Sequence, residues 1–447
     1  MQKIQIPFPE IGRIRPRSVR EIAGSKFTLG CETLDRGYAD YEEYKEYIPP
    51  LGIKTIRLQA GWGKTEKVRG VYDFAWLDKI IFDAAGRGLN ILLETDYGNS
   101  IYPGGGGDDH HTGFPVDPEP LAAWDRWIEA MARHYAGTVR DWAMWNEPDI
   151  PGTRSVEQTV DFNIRTAKLI RKIIPDARIG GLSLAYSTDV FDEYLSLMEQ
   201  KGELGLFEWI IYHGYLFNPD EAYDRGSRLQ RFLARHAPVV KLRQGENGCP
   251  SDRVAKFFSF HDYDWTEFSQ AKWDLRRFIG DVAHDVETSV FTICDFDHIG
   301  RTINRKGLLR AEKDHKVVGI KQVYYAIQHM TSVFDDTLVP ASRDRAAVLF
   351  ERNCAAFPFA STAGKGNLCV YWDRSDIPGE STATEPGQLL FRDLAFDEPV
   401  LADVISGSVY AIPADRIVRQ GDFVQFRDMP VIDSPLLIAE KRLLYLQ

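Results

Sequence analysis

Eight short apolar runs, set apart by segments of helical periodicity, constrain this chain more than any other feature of its sequence. They are 27–31 (FTLGC), 53–58 (IKTIRL), 90–95 (NILLET), 141–145 (DWAMW), 178–184 (RIGGLSL), 208–213 (EWIIYH), 239–243 (VVKLR) and 289–294 (SVFTIC). Most are continuously apolar rather than alternating, as strands covered on both faces must be. Between them lie helix candidates at 74–88, 120–136, 155–174, 189–201 and 265–284. In 155–174, Val156, Val160, Ala167, Ile170 and Ile174 recur at helical spacing and Pro175 follows as a stop. Strand–helix alternation predicts a parallel sheet, and eight such units predict a closed (β/α)8 TIM barrel over residues 28–334. From 335 to 447 the texture changes to short β-rich runs (VLFER, LCVYW, QLLFRDL, SVYAI, DFVQFRD, PLLIAEK) between Gly, Pro and Asp clusters. That pattern predicts a C-terminal antiparallel β-sandwich. The extended arm 1–27 is expected to lend strands to it. A length of 447 residues accommodates two such units.

A formal net charge of -11 argues against a phosphate backbone as ligand, which wants a basic surface. No apolar stretch is long enough to span a bilayer, so neither nucleic acid nor membrane is expected as a partner. Cys31, Cys249, Cys294, Cys354 and Cys369 form no CxxC pair, which predicts reduced thiols. The N-terminus lacks the apolar core of a signal peptide; the expectation is a cytoplasmic protein, or a secreted one whose leader has been removed. Oligomeric state is not legible.

The barrel reading directs attention to strand C-terminal ends, where such folds place their chemistry. Those ends carry Glu32, Arg57, Asp96, Asn146 with Glu147, His213 with Tyr215, Glu246 and Asp295. Two glutamates stand out: Glu147 in WNEPD after the fourth strand and Glu246 in RQGENG after the seventh, 246 − 147 = 99 residues apart, room for three βα units. Strands four and seven face each other across a barrel mouth, so both carboxyls can flank one glycosidic bond. One carboxylic acid protonates the leaving oxygen and one carboxylate attacks the anomeric carbon. Arg57 is placed to keep Glu246 ionised, the Tyr215 hydroxyl to donate a second hydrogen bond to it, and Asn146 to hold a sugar hydroxyl beside the reacting carbon. Aromatic faces suit pyranose rings, which makes Trp62, Trp145 and Tyr97 candidates for sugar contact.

These motifs resemble those of glycoside hydrolase clan A, in which the fourth strand carries Asn-Glu and the seventh the nucleophile. Arg57 in IKTIRL, GVYDFAWLDKII at 70–81 and IIYHGY at 210–215 extend the likeness, the last being most similar to family 39 with its His-x-Tyr on strand six. The closing VVGIKQVYYAIQHM helix and the DSPLLIAE stretch are similar to enzymes with an appended sandwich. The resemblance implies a retaining β-glycosidase acting on an oligo- or polysaccharide, with Glu147 as acid/base, Glu246 as nucleophile, and substrate contacts from Asn146, Arg57, Tyr215, His213, Trp62, Trp145 and Asp295. One departure stands against it: where many members end strand eight with a platform tryptophan, TICDFDHIG offers Asp295, Phe296 and Asp297.

Plainer readings remain open at this point. Glu147 can serve as a helix-start residue before Pro148, Glu246 as a turn residue, Arg57 as a buried counter-charge, and His213 and Tyr215 as core residues with satisfied polar tips. Neither metal nor organic cofactor is expected. His110 and His111, with Asp108 and Asp109, sit side by side on the glycine-rich loop 104–111, where neighbours seldom converge on one ion; a lid over substrate is the better reading of that loop. The alternatives to a retaining hydrolase are an inverting or transglycosylating enzyme on the same fold and a catalytically inactive carbohydrate-binding barrel.

Overall fold

The computed structural model describes residues 2–107, 112–150, 154–185, 190–254, 259–298 and 302–446. The eight runs form eight parallel strands in sequence order that close into a barrel: Phe27–Gly30, Thr55–Gln59, Asn90–Glu94, Asp141–Ala143, Arg178–Leu184, Trp209–Tyr212, Lys241–Asn247 and Glu287–Val290. The first pairs with both the second and the eighth, which leaves no edge. They are called barrel strands one to eight below. Strand seven runs four residues past its predicted end, to Asn247, and so carries Glu246 within it.

The two-residue period of a strand decides what enters the lumen. On strand two, Ile56 and Leu58 join the main core under the helices, whereas Thr55, Arg57 and Gln59 alternate with them and are equally buried. On strand three, Ile91 and Leu93 belong to that core, while Leu92 joins Ala143, Trp209 and Ile211 in a separate apolar cluster. This second cluster fills the lumen, with the Arg243 guanidinium 4.2 Å from the centre of the Trp209 ring. Glu94, two residues beyond Leu92 and in register with Gln59, therefore enters the lumen above that plug. Polar side chains thus concentrate at the C-terminal mouth.

The expected helices form at Ala75–Gly86, Pro118–Tyr135, Val156–Ile173, Phe191–Gln200 and Glu267–Ala283. Ser155 and Gln158 make a capping box at the start of the third of these, satisfying backbone N–H groups that a helix start leaves open. Two segments differ from expectation. Asp220–His236 is a further helix with a strong polar–apolar division. The start of the closing helix is instead a strand: Val317–Ile320 pairs antiparallel with Leu309–Ala311, and the helix begins only at Gln322. Val318 projects to solvent there, so the apolar run VVGI alternates faces as a strand and does not continue the helical stripe.

The C-terminal region builds a seven-stranded and a four-stranded antiparallel sheet, as a sandwich requires. The N-terminal strand Glu10–Arg13 adds itself to one edge of the larger sheet, opposite Ser408–Ala411. That sheet lies against the barrel across helix Glu267–Ala283, in which every residue from Phe268 to Ala283 is buried. Most of its charged residues are accordingly paired; Asp274 instead accepts the Cys249 N–H. Lys272 Nζ reaches Asp433 at 2.6 Å, and Arg276 Nε reaches Asp220 at 2.7 Å, while Trp372 Nε1 donates to the other Asp220 oxygen at 2.8 Å. The five cysteines are unpaired. Among the described residues no helix is long and apolar enough to cross a membrane. Residues 108–111, which include His110 and His111, lie outside the described residues.

Candidate active site

At the C-terminal mouth of the barrel a pocket of about 660 Å³ is lined by Glu147, Glu246, Asn146, Tyr215, Tyr97, Glu32 and Lys306, among others. Arg57, 2% exposed, is the centre of its charge network. Its Nη1 donates to Glu246 Oε2 and to Glu32 Oε1, both at 2.8 Å, and its Nη2 donates to Glu94 Oε2 at 2.7 Å and Asn146 Oδ1 at 2.6 Å. One guanidinium fork thereby orients three carboxyl groups and an amide, a task a point-charge ammonium cannot perform.

Glu246 has a second donor, the Tyr215 hydroxyl, 3.0 Å from Oε1. Burial alone pushes this carboxyl up, but His213, the Arg57 charge with its hydrogen bond, and Lys306 outweigh it and hold Glu246 at about 2. Glu32, fully buried and sharing the same Arg57 nitrogen, goes the other way: burial carries it to about 7. Burial likewise raises Glu94. Of the acids around Arg57, only Glu246 is driven firmly into its ionised form.

Glu147 is held differently. Its φ is +53°, a left-handed backbone that a residue with a Cβ rarely adopts, and its N–H donates to Ser183 O at 3.0 Å. His213 Nδ1 lies 2.8 Å from Glu147 Oε1, which leaves Oε2 without a protein partner among the described residues. Burial lowers the His213 imidazole, but the Glu246 and Glu147 carboxylates reverse that and leave it raised. A carboxylate oxygen of Glu147, one of Glu246 and a ring nitrogen of His213 all lie within 4.8 Å of one another. Among the described residues this is the one group of side chains with a spacing a metal ion would accept.

Asn146 places its amide between Arg57 and the Tyr97 hydroxyl, to which Nδ2 donates at 2.9 Å, and both Asn146 and Tyr97 line the pocket. The remaining sequence candidates fall elsewhere. Trp62 is fully buried, stacked on Tyr102 and Trp127 with Nε1 donating to Glu66 at 2.6 Å. Trp145 is fully buried among Tyr97, Phe114, Trp124 and Phe162. Neither indole lines the pocket. Asp295 also faces away from it: its carboxylate accepts Lys321 Nζ at 2.6 Å, Arg305 Nη1 at 3.0 Å and the Gly307 N–H at 3.1 Å. These three residues pack and brace the site rather than meet its contents. Their large or charged side chains suggested exposure at strand ends, and the tertiary structure supplies partners for them instead.

Some residues of the site carry little signal in the sequence. Glu94, the last residue of its strand, is fully buried and reaches the site through Arg57 rather than by lining the pocket; an acid within NILLE is its only signal. Phe296 of TICDFDHIG lines the pocket together with Phe291, which no motif marks, the two rings edge to face at 5.8 Å. Lys306 arrives from a loop past strand eight, where no pattern marks it.

No protein-family profile matches the chain, and no curated protein does. Solved structures are similar to it over most of its length. A family 39 glycoside hydrolase from the gut symbiont Bacteroides cellulosilyticus has a TM-score of 0.68 at 14% identity, covering 93% of this chain and 81% of that one. A monomeric beta-xylosidase from Caulobacter crescentus has a TM-score of 0.59 at 17% identity, covering 94% and 97%. A family 30 endoxylanase from Clostridium papyrosolvens has a TM-score of 0.58 at 12% identity, covering 97% and 98%. The chain therefore has the fold of these structures, a TIM barrel with a β-sandwich.

Proposed function

We propose that this protein is a retaining glycoside hydrolase that cleaves β-glycosidic bonds of an oligo- or polysaccharide by double displacement, with Glu147 as acid/base and Glu246 as nucleophile. The observation that carries the reading is the carboxylate separation. Oxygens of Glu147 and Glu246 lie within 4.8 Å, close to the ~5–5.5 Å of retaining enzymes and short of the ~6.5–9.5 Å that an inverting enzyme needs to admit water. The environments support the division of roles. Glu246, held ionised by Arg57 and Tyr215, attacks the anomeric carbon. Glu147 Oε2, left open by the His213 contact at Oε1, delivers its proton to the leaving oxygen and then takes one from the incoming water. The left-handed φ at Glu147 is the kind of backbone departure that clusters at working sites. The similar structures described above are glycoside hydrolases, which agrees with this reading.

Asn146 holds a sugar hydroxyl next to the reacting carbon, and Tyr97 borders the same subsite. We assign catalysis to residues 28–334, with 335–447 as the accessory sandwich and 1–27 as its added arm. This chemistry uses no metal; retention of activity after exhaustive chelation is expected, and loss restored by a divalent cation would favour a metal held by Glu147, His213 and Glu246.

Proton NMR in the first minutes of hydrolysis tests the mechanism: the first-formed sugar keeps the β configuration, and an inverted product overturns it. A 2-deoxy-2-fluoro glycoside with a good leaving group should add one sugar to the peptide containing Glu246, whereas labelling of another carboxylate refutes the assignment. Sugar-induced thermal stabilisation without any turnover would identify a binding protein instead.

A further inference from the structure

Lys306 is 4% exposed, yet it lines the pocket together with both catalytic carboxyls. Its Nζ lies 3.8 Å from the centre of the Tyr215 ring, the ring whose hydroxyl holds Glu246. Phe260 and Phe291 are the next ring faces, at 5.4 and 5.9 Å. Among the described residues no carboxylate comes within ion-pair distance of this ammonium; Glu246 and Glu147 influence it only through space. Every other fully buried lysine or arginine named above has a carboxylate or carbonyl partner. A buried ammonium without one is costly, and burial pulls it down to about 8.

The backbone holds Lys306 in place from both sides. Asp295 accepts Arg305 Nη1 and the Gly307 N–H, one residue before and one after it, and Lys321 Nζ ties Asp295 to Arg305 O at 3.0 Å. Residue 307 admits only glycine, since a Cβ there would sit 2.1 Å from Asp295 N and 2.2 Å from Cys294 C. The buried charge network behind strand eight thus presents one unpaired cation to the pocket.

Barrel geometry says which part of a sugar it meets. Strands four and eight are diametrically opposed in an eight-stranded barrel. If Asn146 on strand four marks the edge bearing the hydroxyl beside the anomeric carbon, the opposite edge carries the ring oxygen, C5 and its exocyclic substituent. We infer that Lys306 is a specificity-determining residue that selects reacting sugars with a carboxylate at C5, so that the preferred substrates are β-linked hexuronides. The inference rests on the hydrolase reading above and narrows its substrate class. A charge-assisted hydrogen bond of this kind is stronger than its neutral counterpart, and an ammonium facing the hydroxymethyl group of a neutral hexoside gains less.

The test compares kcat/KM for nitrophenyl β-glucuronide and β-galacturonide with the matching glucoside, galactoside and xyloside. A uronide should be preferred by tenfold or more. Lys306→Met and Lys306→Gln, both checked for native thermal unfolding, should lower the ratio of kcat/KM for that uronide to kcat/KM for its matching neutral glycoside by about tenfold to a hundredfold, whatever loss both substrates share through Glu246. The inference is overturned if neutral glycosides are hydrolysed and uronides are not preferred, or if a glucoside sulfated at the exocyclic oxygen is preferred over the uronide. It is also overturned if either substitution slows all substrates alike, which would make Lys306 a support for Glu246. Should no glycoside be turned over, the hydrolase reading fails separately; calorimetry with free D-glucuronate then decides on Lys306, with tighter binding to the wild-type protein than to Lys306→Met supporting the inference and equal binding overturning it.

Discussion

Replacing Arg57 by methionine tests the electrostatic centre of the site. The guanidinium Nη1 is 2.8 Å from Glu246 Oε2, which puts the charge centres roughly 4 Å apart; at an effective dielectric constant of about 20 the lost attraction is about 4 kcal/mol, or about three pKa units. Glu32 and Glu94 also lose Arg57 and take up protons themselves, which removes repulsion from Glu246 and trims the shift to roughly two to three units. The nucleophile, at about 2 in the wild-type protein, should then titrate between about 4 and about 5. The sign follows from the form that reacts. Glu246 must be ionised, so raising its pKa moves the acidic limb of kcat/KM upward. At pH 3.5 a pKa of about 5 leaves roughly 3% of the nucleophile ionised, a loss of about thirtyfold relative to the variant's own plateau near neutrality. The same depression links to folding: the stability Glu246 contributes is present above its unfolded pKa, near 4.3, and is lost as pH falls toward 2. The assay is kcat/KM from pH 3 to 8 on an aryl glycoside, normalised to each protein's plateau, with circular dichroism confirming the fold. An unchanged acidic limb in a folded Arg57→Met protein refutes the reasoning and leaves Arg57 a structural counter-charge.

Glu147→Ala should slow glycosides with poor leaving groups by about a hundredfold to ten-thousandfold while sparing aryl glycosides with acidic phenols; equal losses on both would show that Glu147 is not the acid. Asp220→Ala should destabilise the whole chain by about 3–5 kcal/mol, because it strands Arg276 and removes the acceptor for Trp372 Nε1 between barrel and sandwich. Calorimetry would show this as a lower Tm with both regions melting together, and a transition unchanged in position would contradict the bracing role.

The order of the elements follows from local sequence pattern. A strand buried on both faces is apolar along most of its length, and a helix must show its stripe, so the eight barrel strands were legible in the sequence, although strand seven ends four residues later than its apolar run. The sequence also supplies the chemical vocabulary: WNEPD and RQGENG place an acid at each of two strand ends, and a barrel brings strand ends to one mouth. Which of those residues meet depends on the closed barrel. Arg57 reads equally well as a counter-charge or a support until the lumen puts Glu32, Glu94, Glu246 and Asn146 around its fork. Trp62, Trp145 and Asp295 sit at strand ends as the pattern requires, yet neighbours distant in sequence (Trp127, Phe162 and Lys321) claim them. Lys306 is the converse: an unremarkable lysine in a loop, turned into a buried pocket cation because Asp295 and Gly307 fix the chain around it. Periodicity reports what each element needs from its surroundings, whereas pairing between side chains dozens of residues apart depends on distances that only the closed barrel sets.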